Sequence, residues 1–388
     1  MTARVLEEIG AARFRFENVL GADYLGALVA SLAFPLLVVP QLGLMSASLV
    51  FGVLNLGVAG LSLRVFRGRA PRATLLVWTL ATGLALVGLW QSERLFAFTE
   101  AQLFADEVIL SEDTPCQHIT ATRFRDRTRL LLGHSIQFDS YDEDRYHAPP
   151  VHPAMAMAPR RASVLILGGG MAAREVLKYP EVRQVTPVDL DPRVTEIFRG
   201  RPDLAALNHG ALNDPRLTVL NTDAWRFAET APDSFDVIIV DLPAPKNIAL
   251  SKLYTRQFYR LLSERLSAGG VLVIQPGSPL FARQAFWSVV ETIEGTELPQ
   301  LMDGHWHVTP YHSYVPSFGE WGFVMASALP LREMSFPQAD RMRYLTPETW
   351  RGAQVFGADM SRIDAAPNTL QSHALGRYCN DGWDEWFR

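Results

Sequence analysis

The stretch VLILGGGMAAREV, residues 164–176, decides the fold of this chain. A short apolar run leads into three consecutive glycines, Gly168, Gly169 and Gly170, and a helix-like pattern follows them. Glycines at such a turn let backbone N–H groups approach a bound ligand closely. The chain has neither the GxGxxG motif of dinucleotide sites nor the P-loop lysine motif. The pattern therefore favours an S-adenosyl compound as the ligand over a dinucleotide or ATP.

Five apolar runs alternate with helix-like stretches after residue 163. They are VLIL, QVTPVDL, LTVLN, FDVIIVDL and VLVIQ, and residues 255–266 form one of the helical stretches between them. This alternation predicts a doubly wound parallel sheet. Upstream, residues 104–136 alternate polar and apolar side chains and predict β-hairpins.

Acidic residues follow three of these runs. Asp189 ends the second run, about 20 residues after Gly168, where an acid suits the two hydroxyls of a ribose. Asp223 comes just after the third run, where a carboxylate can accept from an adenine amino group, and Asp241 ends the fourth. Ligands of open α/β sheets bind at the carboxyl ends of the strands, so the three acids together predict nucleoside binding. Each acid alone is equally well explained as a helix N-cap or a loop acid.

The N-terminal part of the 388-residue chain predicts membrane helices. Residues 24–43, 44–63 and 73–91 are uncharged runs of about the length that crosses a bilayer as a helix. The linker at residues 64–72 carries four arginines and no acid, which places it in the cytoplasm by the positive-inside rule. Three crossings would then put the rest of the chain outside, so two or three passes remain open. We expect a multi-pass protein of the cell (inner) membrane, with the lipid bilayer as a partner and the catalytic domain on the cytoplasmic side.

Composition and length complete the domain prediction. The net charge of −5 shows no excess of basic residues that could bind phosphates, so no nucleic-acid partner is expected. We predict four parts: a membrane region at 1–98, a β-stranded N-terminal subdomain at 99–150, a Rossmann-like S-adenosyl-type catalytic domain at 151–330, and a C-terminal helical and loop extension at 331–388.

Motifs from about Tyr24 to the C-terminus resemble the spermidine synthase (polyamine aminopropyltransferase) family, and more closely its long membrane-anchored bacterial branch. The matching pieces are TPCQHI, GHSIQFDSYDEDRYH, LILGGG, REVLKYPEV, VDLDPRV, NDPRLTVLNTDA, FDVIIVDLPAP, KLYTRQFYRLL and PYHSYVPSFGEWGF. The resemblance implies an α/β fold, a Rossmann-like methyltransferase-type doubly wound sheet with a small N-terminal β subdomain, preceded by transmembrane helices. It also implies transfer of an aminopropyl group from decarboxylated S-adenosylmethionine to an amine such as putrescine, with no permanently bound cofactor. Members of the family commonly dimerise or tetramerise, which leaves a homo-oligomer open here.

The resemblance assigns the donor side of the site position by position. Gln117 would contact the thioadenosine, and the three glycines would approach the donor. Asp189 would hold the ribose, Asp223 the adenine, and Ala224 follows directly in the matched NTDA motif.

The acceptor side is assigned in the same way. Tyr146 and His147 would line the amine pocket, and Trp321 would form one of its walls. Asp241 would be the general base, because a protonated amine has no lone pair and must lose a proton to attack.

The chain departs from the family's pattern at the acceptor side. Met171, Ala148 and Ala244 stand where the family usually has acidic residues. Buried ammonium groups without carboxylate partners are costly, so other acids would have to replace them. Glu320 and the acids within residues 139–144 are the candidates.

Three functions therefore stay open from the sequence. The first is aminopropyl transfer with replacement carboxylates. The second is an S-adenosylmethionine-dependent transferase with a different acceptor, and the third is a non-catalytic relative that binds a nucleoside. No metal site is expected, and the pair Arg174 and Glu175 is assigned no role.

Overall fold

The computed structural model forms two compact units, Met1–Phe124 and Arg125–Arg388. The finer four-part division predicted from the sequence stays a prediction. The residues that the structure describes are 16–65, 71–133, 135–232, 234–298, 305–330, 334, 336 and 342–387.

The first unit begins with apolar helices. Three segments are long and apolar enough to cross a membrane: Leu20–Val38, Ser46–Val65 and Arg72–Trp90. At most 6% of each segment's most apolar stretch is buried, so the apolar side chains of these segments lie almost entirely on the surface. The helices of this unit are Phe16–Ala33, the π-helical turn Phe34–Val38, Val39–Val65, Arg72–Trp90 and Ser92–Leu103.

Two local features shape these helices. Gly43 has φ 70° and breaks the helical path inside Val39–Val65, at the boundary predicted between the first two apolar runs. Trp78 packs against Gly60, where a Cβ would come within 2.7 Å of the indole, and its Nε1 donates to the Leu56 carbonyl at 2.8 Å. Residues 66–70 of the predicted arginine-rich linker lie outside the described residues.

Antiparallel hairpins follow, as the alternation of residues 104–136 predicts. In the first unit, β1 (Glu107–Asp113) pairs with β2 (His118–Phe124). In the second unit, β3 (Arg127–Leu132) pairs with β4 (Ser135–Asp139).

A seven-stranded sheet forms the centre of the second unit. Its strands are β5 (Ser163–Gly168), β6 (Gln184–Asp189), β7 (Leu220–Asn221), β8 (Phe235–Asp241), β9 (Leu266–Gly277), β10 (His307–Val315) and β11 (Gly319–Ser327). They lie in the order β10-β11-β9-β8-β5-β6-β7. The five strands β9, β8, β5, β6 and β7 pair in parallel, and β11 pairs antiparallel with both β9 and β10. This arrangement confirms the predicted fold class, a Rossmann-like methyltransferase-type sheet with a small N-terminal β subdomain.

Helices connect and cover this sheet. The α-helices of the second unit are Asp144–Met157, Ala172–Val176, Pro192–Gly200, Pro202–Ala205, Ala224–Thr230, Ile248–Ser251, Arg256–Glu264, Arg283–Glu294, Pro347–Ala353 and Ala374–Phe387. Short 3₁₀ turns lie at Ala211–Asn213 and Lys252–Tyr254.

The central strand β8 shows why the site lies where it does. Every residue from Phe235 to Val240 is buried, the pattern of a parallel strand covered on both faces. Only Asp241, at the carboxyl end, reaches partial exposure. The apolar sequence therefore fixes the strand, and the first polar side chain after it emerges at the edge where ligands of such sheets bind.

Candidate active site

The carboxyl ends of adjacent strands bring the glycine turn and two of the acids to one edge. Gly168 at the end of β5 lies opposite Asp241 at the end of β8, and Asp189 at the end of β6 lies opposite Asn221 in β7. This confirms the position predicted for the acids at successive strand ends. Their functional roles stay predictions.

The three glycines of the turn are there for different reasons. Gly168 has φ 104°, and a Cβ on it would lie 2.0 Å from the Asp241 carbonyl oxygen, so only glycine lets the two strand ends meet. A Cβ on Gly170 would come within 2.8 Å of Leu212. Around Gly169 there is open space, so this residue leaves room for a ligand to approach the backbone.

Asp189 is half-buried at the end of β6. Its Oδ1 accepts the backbone N–H of Asp191 at 2.8 Å. Burial raises the pKa of Asp189, and the nearby Asp191 and Asp241 carboxylates act in the same direction. A carboxylate in this position gains from ligand donors such as ribose hydroxyls, which stabilise its charged form.

Asp223 serves as a helix N-cap as well as standing at a strand end. Its Oδ1 accepts the backbone N–H of Arg226 at 3.0 Å, which caps helix Ala224–Thr230, and Ala224 is buried behind it. Lys252 Nζ lies 3.0 Å from Asp223 Oδ2. Burial opposes ionisation, but the Arg226 N–H and the Lys252 ammonium outweigh it, so the pKa of Asp223 lies below its ordinary value.

Asp241 is joined to the predicted acceptor side by one hydrogen bond. The Tyr146 hydroxyl, from the first turn of helix Asp144–Met157, donates to Asp241 Oδ1 at 2.7 Å. Burial raises the pKa of the Asp241 carboxyl, and His147 and the Tyr146 hydrogen bond partly offset this. A half-buried carboxylate with a raised pKa is better suited to accept a proton than an ordinary surface aspartate.

Aromatic rings surround Tyr146. Its ring centroid lies 4.9 Å from that of His147, 5.2 Å from Phe318 and 6.3 Å from Trp321. Trp321 Nε1 donates to Gln275 Oε1 at 2.9 Å, which fixes the indole. The structure therefore brings Tyr146, His147, Trp321 and Asp241 together, as the acceptor-side assignment expects.

Glu320 is not brought to this cluster. It precedes Trp321 in β11, and successive side chains of a strand point to opposite faces. Its carboxylate pairs with His312 Nδ1, while His312 Nε2 bonds to the Val355 carbonyl at 2.9 Å. The His312 pair occupies the face opposite to Trp321, so Glu320 does not stand beside Asp241.

The acids of residues 139–144 already have partners within the protein. Asp139, Asp142 and Glu143 are buried, whereas Asp144 is partly exposed and pairs with Arg343 at 3.2 Å. Asp139 accepts from Arg129 Nε at 2.9 Å, and Asp142 accepts from the backbone N–H of Ser317 at 2.7 Å. Glu143 forms a buried ion pair with Arg174. These carboxylates are engaged in holding the segment in place.

Arg174 and Glu175, to which the sequence analysis assigns no role, belong to a buried ion network that reaches His147 through Glu143. They bond directly, Nε to Oε1 at 3.1 Å, although neighbouring residues of a helix do not normally face each other. Glu175 Oε2 also lies 2.9 Å from His152 Nε2 and 2.6 Å from Lys178 Nζ. These contacts hold the pKa of Glu175 far below its ordinary value, against the effect of burial. The signal that was available is an adjacent charged pair inside an otherwise apolar helix.

The remaining predicted positions are structurally simple. Gln117 belongs to the first unit, in the turn between β1 and β2, where its backbone N–H donates to Thr114 Oγ1 at 3.0 Å; its contact with a nucleoside stays a prediction. Met171 and Ala148 are buried, and Ala244 is partly buried against the core. The three departures from the family pattern are thus apolar packing positions.

Among the described residues, no group of three or more His, Cys, Asp or Glu side chains is placed to hold a metal ion.

Comparisons with known proteins agree with this geometry. The model of the spermine/spermidine synthase domain matches residues 143–336. The chain is 42% identical over 382 residues to polyamine aminopropyltransferase 2 of Ralstonia nicotianae, covering 94% of this chain and 72% of that one. It is 40% identical over 372 residues to the polyamine aminopropyltransferase of Leptospira interrogans, with coverages of 95% and 73%.

Solved structures show the same fold. A crystal structure of spermidine synthase in complex with the transition state analogue AdoDATO matches with a TM-score of 0.58 and 23% identity, over 65% of this chain and 86% of that one. Spermidine synthase from Thermotoga maritima matches with a TM-score of 0.56 and 22% identity. From the domain match and the relatives at about 40% identity, the chain belongs to the spermine/spermidine synthase family of enzymes.

Proposed function

We propose that this chain is a membrane-anchored polyamine aminopropyltransferase. It transfers the aminopropyl group of decarboxylated S-adenosylmethionine to an amine acceptor such as putrescine. The relatives at about 40% identity carry the name polyamine aminopropyltransferase, and the family match covers the acids and aromatic residues of the site. The single observation that carries the proposal is the Tyr146–Asp241 hydrogen bond of 2.7 Å at the ligand-binding edge of the sheet.

The donor lies along the carboxyl ends of β5, β6 and β7. Asp189 accepts the ribose hydroxyls, and Asp223 accepts the adenine amino group. The open space around Gly169 allows the donor to lie against the backbone of the turn. This placement puts the sulfonium centre next to the end of β8, where Asp241 stands.

The reaction is a displacement at carbon. The lone pair of the acceptor nitrogen attacks the aminopropyl CH₂ that is bonded to the sulfonium sulfur. The new C–N bond forms as the C–S bond breaks, and the sulfur keeps the electron pair, which leaves neutral methylthioadenosine. The proton lost by the nitrogen passes to Asp241.

Two features of Asp241 suit this task. Its raised pKa makes it a stronger base than an ordinary aspartate when ionised. The Tyr146 hydroxyl fixes Oδ1, so the other carboxylate oxygen can face the attacking nitrogen. Orientation of the two reactants supplies much of the remaining rate enhancement.

The acceptor is held mainly by aromatic faces in this proposal. Tyr146 and Trp321 can attract an ammonium group through their rings. The carboxylates of Asp142 and Glu143 are engaged by Ser317 and Arg174, so Asp241 is the acid that meets the amine. Glu320 has no place in this proposal, because its carboxylate is paired with His312.

The apolar helices anchor the enzyme in the bilayer. Their exposed side chains include Leu28, Leu54 and Leu84, with exposed fractions of 57%, 58% and 74%. Such surfaces are stable in lipid and not in water. Carbonate washing of membranes should leave the chain in the pellet, whereas its release into the soluble fraction would contradict anchoring.

The catalytic proposal is tested with the full chain in detergent. The protein is incubated with decarboxylated S-adenosylmethionine and putrescine, and spermidine and methylthioadenosine are quantified by mass spectrometry. We expect equal amounts of both products from wild type, and far smaller amounts of both from the Asp241→Asn variant. Methyl transfer from S-adenosylmethionine, or no product with any amine although the nucleoside binds, would contradict the proposal.

A further inference from the structure

Lys252 lies beside Asp223, the residue predicted to accept a hydrogen bond from the adenine amino group. Lys252 has no role in the proposed transfer reaction. It is the first residue of the 3₁₀ turn Lys252–Tyr254, and its Nζ lies 3.0 Å from Asp223 Oδ2. The two side chains are 34% and 37% exposed, so solvent and a ligand can both reach them. The pair joins the 3₁₀ turn that follows helix Ile248–Ser251 to the N-cap of helix Ala224–Thr230, near the edge where the donor is proposed to lie.

The pair can bind a ligand without coming apart. A carboxylate has about four lone-pair positions, and Asp223 uses one on Oδ1 for the Arg226 N–H and one on Oδ2 for Lys252. An ammonium group has three N–H donors, and one points to Asp223. An acceptor and a donor therefore stand side by side, 3.0 Å apart.

Adenine presents the complementary pattern on its edge. Its exocyclic amino group is a donor, and the adjacent ring nitrogen N7 is an acceptor. A base with a carbonyl at the same carbon presents two acceptors instead, as guanine does with O6 and N7. Such a base would place its carbonyl oxygen against the Asp223 carboxylate, with no hydrogen between them.

We propose that Lys252 and Asp223 bind the adenine edge as a pair. Asp223 accepts from the amino group, and Lys252 donates to the ring nitrogen. This inference rests on the proposed nucleoside site and adds to it a base-binding residue and a stated specificity for 6-aminopurines. The donor pocket then selects its nucleobase by a charged pair and not by Asp223 alone.

The alternative is that the pair only joins two surface turns. Ion pairs between partly exposed side chains contribute little to stability, so removing Lys252 should leave folding intact. Binding of a nucleoside therefore separates the two explanations, because a merely structural pair would leave affinity unchanged.

The test uses calorimetric titration of the full detergent-solubilised chain with methylthioadenosine and with its deaminated analogue methylthioinosine. We expect wild type to prefer methylthioadenosine, and Lys252→Met to weaken binding of both nucleosides by roughly 10-fold, the loss of one charge-assisted hydrogen bond. Lys252→Arg should restore most of the affinity. Asp223→Asn should lower the preference for adenine, because an amide can also donate to a carbonyl.

Controls keep the outcomes distinct. Arg351→Met removes one positive charge from an exposed pair with Glu348 and should leave both affinities unchanged. If wild type binds methylthioadenosine and Lys252→Met binds it equally well, the role of Lys252 is overturned while the proposed function stands. If wild type binds neither nucleoside, the proposed donor site itself fails.

Discussion

The donor side and the acceptor side of this site use their carboxylates in opposite ways. On the donor side, Asp189 and Asp223 stand at strand ends where ligand donors can reach them. On the acceptor side, Asp142 and Glu143 are buried against Ser317 and Arg174. The donor-side carboxylates therefore stay accessible to a ligand, although Asp223 also pairs with Lys252. Asp142 and Glu143 instead hold the structure of the acceptor side.

This difference shows that one edge of a sheet can separate two binding tasks. In the proposed function, nucleoside recognition depends on acids that each follow an apolar strand. Acceptor recognition would depend on tertiary contacts of helix Asp144–Met157, through Tyr146 and its hydrogen bond to Asp241. Substitutions on one side should therefore leave the other largely intact.

The largest effect is expected from Asp241→Asn. The amide cannot take the amine proton, so kcat should fall by roughly 10²- to 10⁴-fold. The affinity for methylthioadenosine should change less than about 2-fold, because the donor side is untouched. Steady-state kinetics and calorimetry measure the two quantities, and equal loss of both would show that Asp241 is structural.

The same variant makes a stability prediction with a definite sign. The pKa of Asp241 is raised in the folded state, so the ionised carboxylate disfavours folding above that pKa. Asp241→Asn should raise Tm at neutral pH, and the gain should disappear as the pH falls through the folded pKa towards the unfolded one. A gain in Tm that is the same at acid and neutral pH would contradict this assignment.

A stability loss is expected from Arg174→Met. It removes the guanidinium partner of the buried Glu143 and one of the groups that bind Glu175, which keeps Lys178. The loss should lower the free energy of unfolding by about 3–5 kcal/mol. Urea unfolding of the solubilised protein measures it, with Arg351→Met as the control for loss of an exposed pair. A loss below about 1 kcal/mol would place this pair with ordinary surface ion pairs.

Asp189→Ala should affect only the donor side. Loss of hydrogen bonds from the ribose hydroxyls to a charged group should weaken methylthioadenosine binding by roughly 10- to 100-fold. Calorimetry measures the dissociation constant, and circular dichroism checks that the fold is retained. Unchanged affinity would remove Asp189 from the site.

Tyr146→Phe should give a smaller effect on the acceptor side. It removes the hydrogen bond that partly lowers the pKa of Asp241, so this pKa should rise further. The acid limb of the kcat/KM profile should then move to higher pH, with kcat at its plateau reduced by about 10-fold or less. A shift to lower pH, or none, would disconnect Tyr146 from the base.

Glu320→Gln should have the smallest effect. The carboxylate is paired with His312 on the face opposite to Trp321, so KM for the amine should stay within about 2-fold of wild type. Burial alone would lower the pKa of His312, but the hydrogen bonds to Glu320 and to the Val355 carbonyl outweigh burial and raise this pKa. The variant should therefore change local stability more than activity. A large rise in KM would restore Glu320 to the acceptor pocket.

The sequence is sufficient to place two of the acids at strand ends, because its signals are local. An apolar run fixes each strand, and the acid after it must lie at the strand's carboxyl end, as Asp189 and Asp241 do. Asp223 is a mixed case, since it caps helix Ala224–Thr230 and pairs with Lys252 as well. That pairing joins residues far apart in the chain and has no sequence signal.

The acceptor side could not be predicted to the same depth. The sequence places Glu320 next to Trp321, but the alternation of strand β11 sends the two side chains to opposite faces. The Glu143–Arg174 pair joins two helices and depends on tertiary packing. The acidic residues within 139–144 therefore suggested carboxylates that could bind the amine, but in the fold these carboxylates bind other groups of the protein.

The most direct measurement compares the affinities of decarboxylated S-adenosylmethionine and S-adenosylmethionine for the wild-type chain by calorimetry. Asp189 and Asp241 lie at the same edge, so the additional carboxylate of S-adenosylmethionine should be repelled there. We expect clearly tighter binding of the decarboxylated donor. Equal or tighter binding of S-adenosylmethionine would contradict it and would point to a transferase of a different kind.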